Sequence, residues 1–215
     1  KAILLLRKLG YHVVVPDLKW SGMPHISYGE IERANKESEY NLRILTKYVD
    51  AGYSIVSTEP TAVYVLKEIY PKLSPNEAST RIAESSYGLF EYIENGLESI
   101  RLTASESVDG EIGFHLPCHQ QALSGSKSVI QFLERSGYLV KSIETGTCCG
   151  MAGTFGLKHG ALGYDLSMAV GRNLFKLFKK SGCKIISTES SVCSMQLNDG
   201  VGLKIMHPLN MVKIE

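Results

Sequence analysis

Apolar residues along this chain recur in two periods, one typical of helices and one typical of buried strands. Apolar positions three or four residues apart predict helices at 2–9, 31–49, 61–70, 78–96, 126–136 and 164–181, and a further helix from Ser191. Shorter apolar and β-branched runs predict strands at 12–15, 53–57, 111–116, 138–143 and 184–188. Several of these runs are apolar without interruption, which is typical of parallel strands covered on both faces. Helices that alternate with such strands predict an α/β fold with right-handed crossovers.

The second half of the chain repeats the sequence pattern of the first. Residues 6–14 (LRKLGYHVV) resemble residues 133–141 (LERSGYLVK), and residues 54–61 (SIVSTEPT) resemble residues 184–191 (KIISTESS). A repeat of this size is one structural unit copied once. We therefore expect two pseudo-symmetric repeats, each with a mostly parallel sheet flanked by helices. The first half (1–97) would be a degenerate repeat, truncated at its N-terminus and without cysteines, and the second half (98–215) would carry the cysteines.

Composition and charge narrow the possible functions. The 215 residues are 44% hydrophobic and 21% charged, with 23 basic against 22 acidic side chains, so no nucleic-acid partner is expected. The longest apolar runs, such as residues 2–6, are too short to cross a bilayer. Because Lys1 opens directly inside a helical pattern, we interpret the sequence as a piece of a longer polypeptide.

The five cysteines all lie in the second half, and four of them follow predicted strands. Cys118 follows the strand at 111–116, the adjacent pair Cys148 and Cys149 follows the strand at 138–143, and Cys193 follows the strand at 184–188. Parallel strands gather their carboxyl ends at one edge of a sheet, so we expect these four thiols to meet in one crevice. Cys183 instead opens a buried strand, which predicts core packing.

A metal centre explains this cysteine set better than disulfides do. Adjacent cysteines rarely bridge each other, because the geometry of a vicinal disulfide is strained. An odd cysteine count with an adjacent pair favours an intracellular metal or redox set and a cytoplasmic location. Iron–sulfur clusters accept four widely spaced thiolates. Zinc also accepts four thiolates and remains the alternative, although structural zinc sites favour close CxxC pairs that the chain lacks.

Other residues near the cysteines have both functional and structural interpretations. His115 and His119 flank Cys118, where a supporting role is more common than direct ligation. Gly150 and Gly153 would let the backbone approach a bulky cofactor closely. The helix from Ser191 would direct backbone amides at the crevice and favour a thiolate at Cys193.

Two further pairs of residues have either a structural or a functional interpretation. Glu59 and Glu189 occupy equivalent positions in the repeat and suit either helix capping or catalysis. Trp20 and Met23 of the first half are expected in the core or at the interface between the halves. Trp20-Ser21-Gly22 would lie over Cys148-Cys149-Gly150 if the halves were superposed.

These cysteine motifs resemble those of the cysteine-rich CCG domain family. The similarity rests on HLPCH at 115–119, CCGMAGTFG at 148–156, TESSVCSMQL at 188–197 and HPL at 207–209. The family includes the C subunit of anaerobic glycerol-3-phosphate dehydrogenase, the B subunit of heterodisulfide reductase, the iron–sulfur subunit of glycolate oxidase and the CCG tail of FAD-linked oxidases.

The resemblance implies a 4Fe–4S cluster on Cys118, Cys148, Cys149 and Cys193, with incomplete occupancy in protein prepared in air. The family pattern fails at Ser190, where a fifth cysteine would stand, and this favours a four-thiolate cluster or an empty site. It also fails throughout the first half, at Trp20, Ser21, Pro60 and Val63, so no cluster is expected there.

The function implied by this resemblance is an electron-transfer module of a flavin-linked dehydrogenase. Electrons would pass to a quinone-type acceptor, and FAD would sit on a partner protein or an upstream domain. Contact with the inner face of the membrane would then be peripheral and would run through partners. The alternatives are a thiol/disulfide reductase module of the heterodisulfide reductase type and a structural domain that has lost its cluster.

Overall fold

A computed structural model describes residues 1–123, 125–143 and 148–215. Its α-helices are α1 (Ala2–Lys8), α2 (Met23–Ser27), α3 (Ile31–Asp50), α4 (Pro60–Tyr64), α5 (Tyr70–Leu73), α6 (Glu77–Glu84), α7 (Leu89–Ile93), α8 (Cys118–Leu123), α9 (Lys127–Arg135), α10 (Leu166–Lys180), α11 (Ser191–Val201) and α12 (Pro208–Met211). Its strands are β1 (Ile55–Ser57), β2 (Ser86–Gly88), β3 (Leu102–Ala104), β4 (Glu111–Phe114), β5 (Leu139–Ser142), β6 (Ile185–Ser187), β7 (Lys204–Met206) and β8 (Val212–Ile214). Short π-helical turns continue α4 at Val65–Ile69 and precede α10 at Ala161–Asp165, and 3₁₀ turns lie at Glu94–Ser99 and Phe155–Leu157.

A four-stranded parallel sheet organises the second half. Its strand order is β5-β4-β6-β7, and β4 pairs with both β5 and β6. All of β6 and the last three residues of β4 are buried, as their unbroken apolar sequence predicts. The α/β class with parallel strands flanked by helices is therefore confirmed.

The first half contains a smaller sheet, in which β1 and β2 pair in parallel. Helix α3 packs beside it and contributes Leu42 and Leu45 to a local core with Val65, Tyr70 and Ile82. The two halves therefore differ in sheet size, and the pseudo-symmetric division at residue 97 stays a prediction.

The largest hydrophobic core crosses the boundary between the halves. Leu5, Leu89 and Phe90 of the first half belong to the same cluster as Phe114 and Phe132 of the second. The Phe90 and Phe132 rings lie 4.8 Å apart between centroids. Strand β8 closes this region by pairing antiparallel with β3. The halves therefore share one core and support each other.

Two sequence predictions about the first half were wrong. Residues 12–15 are described and form no strand, and Val15 is 72% exposed. A strand needs a neighbour for its backbone groups, and β1 pairs with β2 rather than with this segment. The sequence predicted a single helix at 78–96, but β2 divides this segment into α6 and α7. In β2 the hydroxyl of Ser86 donates a hydrogen bond to the carbonyl of Ile82 (2.6 Å). Such local bonds from serine compete with the continuing helix.

Trp20 corrects a third expectation. Its side chain is 73% exposed, so it belongs to neither the core nor a covered interface within this chain. Met23 does pack against the core around Leu42 and Leu45. Gly22 and Gly150 share a left-handed backbone, with φ of 85° and 93°, and each faces the long helix of its own half, at Ala34 and Ser167. This likeness supports the repeat in spite of the exposed tryptophan.

Candidate metal centre

Strands β4 and β6 bring the site together at their carboxyl ends. The backbone N–H of His115, directly after β4, donates to the carbonyl of Ser187 in β6 (2.9 Å). Three residues later, Cys118 opens helix α8. Cys193 lies in the first turn of α11, which begins four residues after β6 ends. The sheet edge predicted from sequence is therefore where these side chains lie.

The inner wall of the site is a buried group of three side chains. The sulfur atoms of Cys149 and Cys193 are 3.0 Å apart. A ring nitrogen of His115 joins them, and the three donor atoms all lie within 4.8 Å of one another. His115 is only 2% exposed, and its Nε2 has no hydrogen-bond partner among the described residues. Two sulfurs and one nitrogen therefore lie close together in the buried part of the site.

The outer wall is formed by the two exposed thiols, Cys118 and Cys148. Cys148 lies close enough to Cys118 and Cys149 for both thiols to lower its pKa. The backbone N–H of Gly150 also donates to the Cys148 sulfur (3.3 Å). The four cysteines therefore lie in a row, in the order Cys118, Cys148, Cys149, Cys193, and their role as metal ligands stays a prediction.

The thiols alternate in acidity along this row. Hydrogen bonds from Cys118 and then Cys149 lower the pKa of Cys148, while burial opposes them. The hydrogen bond from Cys149 is the largest influence on Cys193 and lowers its pKa to about 6, with His115 acting in the same direction. The same bonds raise the pKa of Cys118 and Cys149, the two partners that keep their protons. Cys148 and Cys193 are therefore the two thiols most ready to lose their protons, as metal ligation requires.

The glycines shape the loop rather than line the crevice. A Cβ at Gly150 would come 2.1 Å from the carbonyl oxygen of Ser167, so the loop packs directly on α10. Gly153, with φ of 68°, approaches the Ser27 hydroxyl of the first half instead. The backbone at Gly150 therefore does make a close approach, as the sequence predicted, but it approaches helix α10 rather than a cofactor.

Cys183 packs in the core and His119 supports the scaffold, as the sequence analysis expected for each. Cys183 is buried beside Gly113 of β4 and Phe178, away from the thiol row. The Nδ1 of His119 bonds with the Thr61 hydroxyl (3.0 Å), and its ring stacks on Tyr64 at 4.5 Å. His115 is the site residue that sequence reasoning undervalued. Its place directly after the buried residues of β4 was the available signal.

The first half supports the helices that carry the thiols. Glu59 accepts hydrogen bonds from the backbone N–H of Ser191 (3.0 Å) and from its hydroxyl (2.9 Å) at the start of α11. Thr61 and Tyr64 hold His119 in α8. The contribution of the first half to the site is therefore positional.

Glu189 has a different role from its repeat counterpart, Glu59. It is almost fully buried and accepts a hydrogen bond from the side chain of Gln120 in α8. Burial raises the pKa of Glu189 to about 8, the charge of Glu59 acts the same way, and the Gln120 bond opposes them. At neutral pH the Glu189 side chain is thus mostly a neutral acid that links α8 to the end of β6.

The donor set fits a thiophilic metal or cluster. Cysteine sulfur and imidazole nitrogen are ligands of zinc and of iron–sulfur centres. One ring nitrogen of His115 lies within 4.8 Å of both inner sulfurs and offers a third donor atom. Cys118, Cys148, Cys149 and Cys193 are the residues that would hold such a group.

Comparison with known proteins agrees with this site. Residues 112–198 match the family model of the "Cysteine-rich domain" called CCG. The matched span contains most of β4, the four thiols of the row and most of α11. The resemblance inferred from the motifs is thereby confirmed.

Curated relatives extend the similarity beyond the matched domain. The chain is 24% identical over 202 residues to the C subunit of anaerobic glycerol-3-phosphate dehydrogenase from Escherichia coli K12 and from Escherichia coli O157:H7, covering 90% of this chain and 48% of each relative. It is 23% identical over 175 residues to the iron–sulfur subunit of glycolate oxidase from Escherichia coli K12, covering 77% of this chain and 40% of the relative. The matched part of the chain thus spans about half, or less than half, of the length of these curated relatives. The chain is similar to subunits of a dehydrogenase and an oxidase, one of them an iron–sulfur subunit.

Helix length bears on how the protein meets a membrane. No helix in the described ranges combines the length and apolar character needed to cross a bilayer.

Proposed function

We propose that this chain is an iron–sulfur electron-transfer module of a flavin-linked dehydrogenase. The observation that carries the proposal is the convergence of Cys118, Cys148, Cys149 and Cys193 at one sheet edge. When bound, a 4Fe–4S cluster would supply one-electron chemistry at this edge. Similarity to the C subunit of anaerobic glycerol-3-phosphate dehydrogenase and to an iron–sulfur subunit supports this choice of class.

The protein supplies burial on one side of the centre and access on the other. Cys149 and Cys193 are covered by the core around α10 and α11, whereas Cys118 and Cys148 reach the surface. Electrons would enter and leave at this exposed side, since transfer needs close approach of a partner. The proposed donor is a flavoprotein partner or an upstream domain that carries FAD, and the proposed acceptor is a quinone or similar carrier. The proposed location is the cytoplasm, with the inner face of the membrane reached only through partners.

Anaerobic reconstitution tests this proposal. The protein is incubated with iron and sulfide without oxygen, and iron, sulfide and zinc are then quantified beside the visible spectrum. We expect about four irons per chain and a broad absorbance that dithionite bleaches and an added oxidant restores in the absence of oxygen, as for a 4Fe–4S centre. Stoichiometric zinc without sulfide, or a colourless protein without metal, would contradict the proposal.

A thiol/disulfide reductase module is the second candidate. The 3.0 Å separation of the Cys149 and Cys193 sulfurs favours it, because a small movement would allow a bond between them. Mild oxidation of metal-free protein, followed by alkylation and mass spectrometry, distinguishes the candidates. A Cys149–Cys193 disulfide that glutathione reduces, in protein that never takes up iron, would favour the reductase.

A further inference from the structure

The two edges of strand β1 are not equally occupied. On one side β1 pairs in parallel with β2, and the backbone N–H of Ile55 donates to the carbonyl of Ser85 (2.8 Å). Because the backbone groups of successive residues in a strand point to opposite sides, those of Val56 point away from β2. Among the described residues they have no backbone hydrogen-bond partner. The outer edge of β1 is therefore open.

Residues 12–15 border the same open space and do not pair with β1. Two crevices, of about 240 and 140 Å³, lie between the two segments, and Val14 and Val56 line both of them. At one end the Nδ1 of His12 bonds with the hydroxyl of Tyr53 (2.9 Å), which ties the segments together through side chains. The backbone of residues 12–15 has no hydrogen-bond partner within the described part of the chain. We call this space between residues 12–15 and β1 the β1 slot.

The second half shows what lies in the corresponding space. In the sequence repeat, residues 12–15 correspond to β5, and β1 corresponds to β6. Strands β5 and β6 do not pair with each other, because β4 lies between them and pairs in parallel with both. Every residue of β6 is buried, whereas every residue of β1 is partly exposed. The described part of the first half thus contains counterparts of β5 and β6 but not of the strand between them.

We propose that the β1 slot binds one further strand, parallel to β1, supplied by polypeptide that precedes Lys1. In the second half β4 comes before α9, and the repeat equates α9 with α1, so the counterpart of β4 belongs before α1. Its apolar side chains would join the core against which Val13 and Val56 already pack. Ile112 and Phe114 of β4 lie in that same core. This inference goes beyond the proposed function and needs no metal.

A graft of the chain's own middle strand tests the β1 slot. Residues 109–127, which contain β4, are copied directly in front of Lys1, because Lys1 aligns with Ser128 in the repeat. The copy carries Cys118→Ser, so that the graft adds no thiol. The matched control also carries Gly113→Pro in the copy, because proline cannot pair within a central strand.

Hydrogen–deuterium exchange at residues 12–15 and 54–57 is compared in the 215-residue chain, the graft and the control. We expect the graft to slow exchange of these amides by about tenfold or more, because a paired strand protects both of its neighbours. The control should exchange as fast as the 215-residue chain does.

Two results would overturn the proposal. One is equal exchange in the graft and its control. The other is slow exchange of residues 12–15 in the chain without the graft, which would mean that the chain closes the slot itself or, where protection rises with protein concentration, that a second copy does. Should the graft fail to fold, a peptide of residues 109–117 takes its place. It should protect the same amides when the Gly113→Pro peptide does not, and equal exchange with the two peptides would overturn the proposal as well.

Discussion

Glu59 of the first half caps the helix that carries Cys193 in the second half. Its carboxylate accepts hydrogen bonds from the backbone N–H and the hydroxyl of Ser191 at 3.0 and 2.9 Å. Helix α11 has no side-chain cap from its own N-cap residue, Ser190. A half without cysteines therefore stabilises the start of the helix on which a site thiol lies.

Replacing Glu59 with alanine should lower the free energy of unfolding by about 1 kcal/mol. The substitution removes both hydrogen bonds and a negative charge at the positive end of a helix. Glu59→Gln, which can still accept the bonds, should lose less. Urea denaturation of the three proteins measures the difference, with Glu68→Ala as a surface control that stays within about 0.5 kcal/mol of wild type. Equal stability of Glu59→Ala and wild type would show that the cap contributes nothing.

Glu189 should make stability fall as pH rises across the neutral range. Burial raises its folded pKa to about 8 from 4.5, so between these values the folded chain keeps a proton that the unfolded chain has released. Stability from this group is complete below pH 4.5 and declines toward pH 8, by up to about 1.4 kcal/mol per pH unit. In Glu189→Gln this decline should be shallower, as denaturation at about pH 5.5, 6.5 and 7.5 would show. Identical slopes in the two proteins would refute the buried neutral acid.

Gly150 should tolerate no side chain. A Cβ there would lie 2.1 Å from the carbonyl oxygen of Ser167, and its φ of 93° is already unfavourable for alanine. We expect Gly150→Ala to cost about 2–5 kcal/mol from backbone strain and overpacking together. Gly137→Ala is the matched control, because its φ is 97° but nothing lies within 4 Å of its Cβ position. Thermal melts giving the two variants equal losses would show that the loop does not pack on α10 as described.

Trp20 should contribute little to folding. A buried tryptophan would cost about 3–5 kcal/mol on truncation to alanine. Since Trp20 is 73% exposed, Trp20→Ala should change the free energy of unfolding by less than about 0.5 kcal/mol. Chemical denaturation measures this, and a loss above about 2 kcal/mol would mean that Trp20 is covered in solution.

The sequence predicted the second half better than the first, and the reason is burial. The buried parts of β4 and β6 are mainly apolar because both faces are covered there, and the ends of these strands placed Cys118 and Cys193 correctly. The segment at 12–15 has the same β-branched composition, but its pairing depends on a distant neighbour that local sequence does not encode. The sequence did not predict that His115 lies beside Cys149 for a similar reason, since only the fold brings the two residues together.

The cysteine pattern did not predict how deeply each of the four thiols is buried. Spacing indicated which thiols follow strands, but not that Cys149 and Cys193 form an inner pair while Cys118 and Cys148 remain exposed. That division follows from the packing of the loop at Gly150 on α10, a contact between distant parts of the chain.

Iron content in two matched cysteine variants tests the central claim most directly. Cys149 and Cys183 are both buried, at 3% and 6% exposure, but only Cys149 belongs to the thiol row. After anaerobic reconstitution, Cys149→Ala should lose the iron and the visible absorbance, and Cys183→Ala should keep the wild-type values. Circular dichroism of both variants checks that each is folded. Equal iron in the two folded variants, or loss of iron from Cys183→Ala alone, would contradict a cluster held at the ends of β4 and β6.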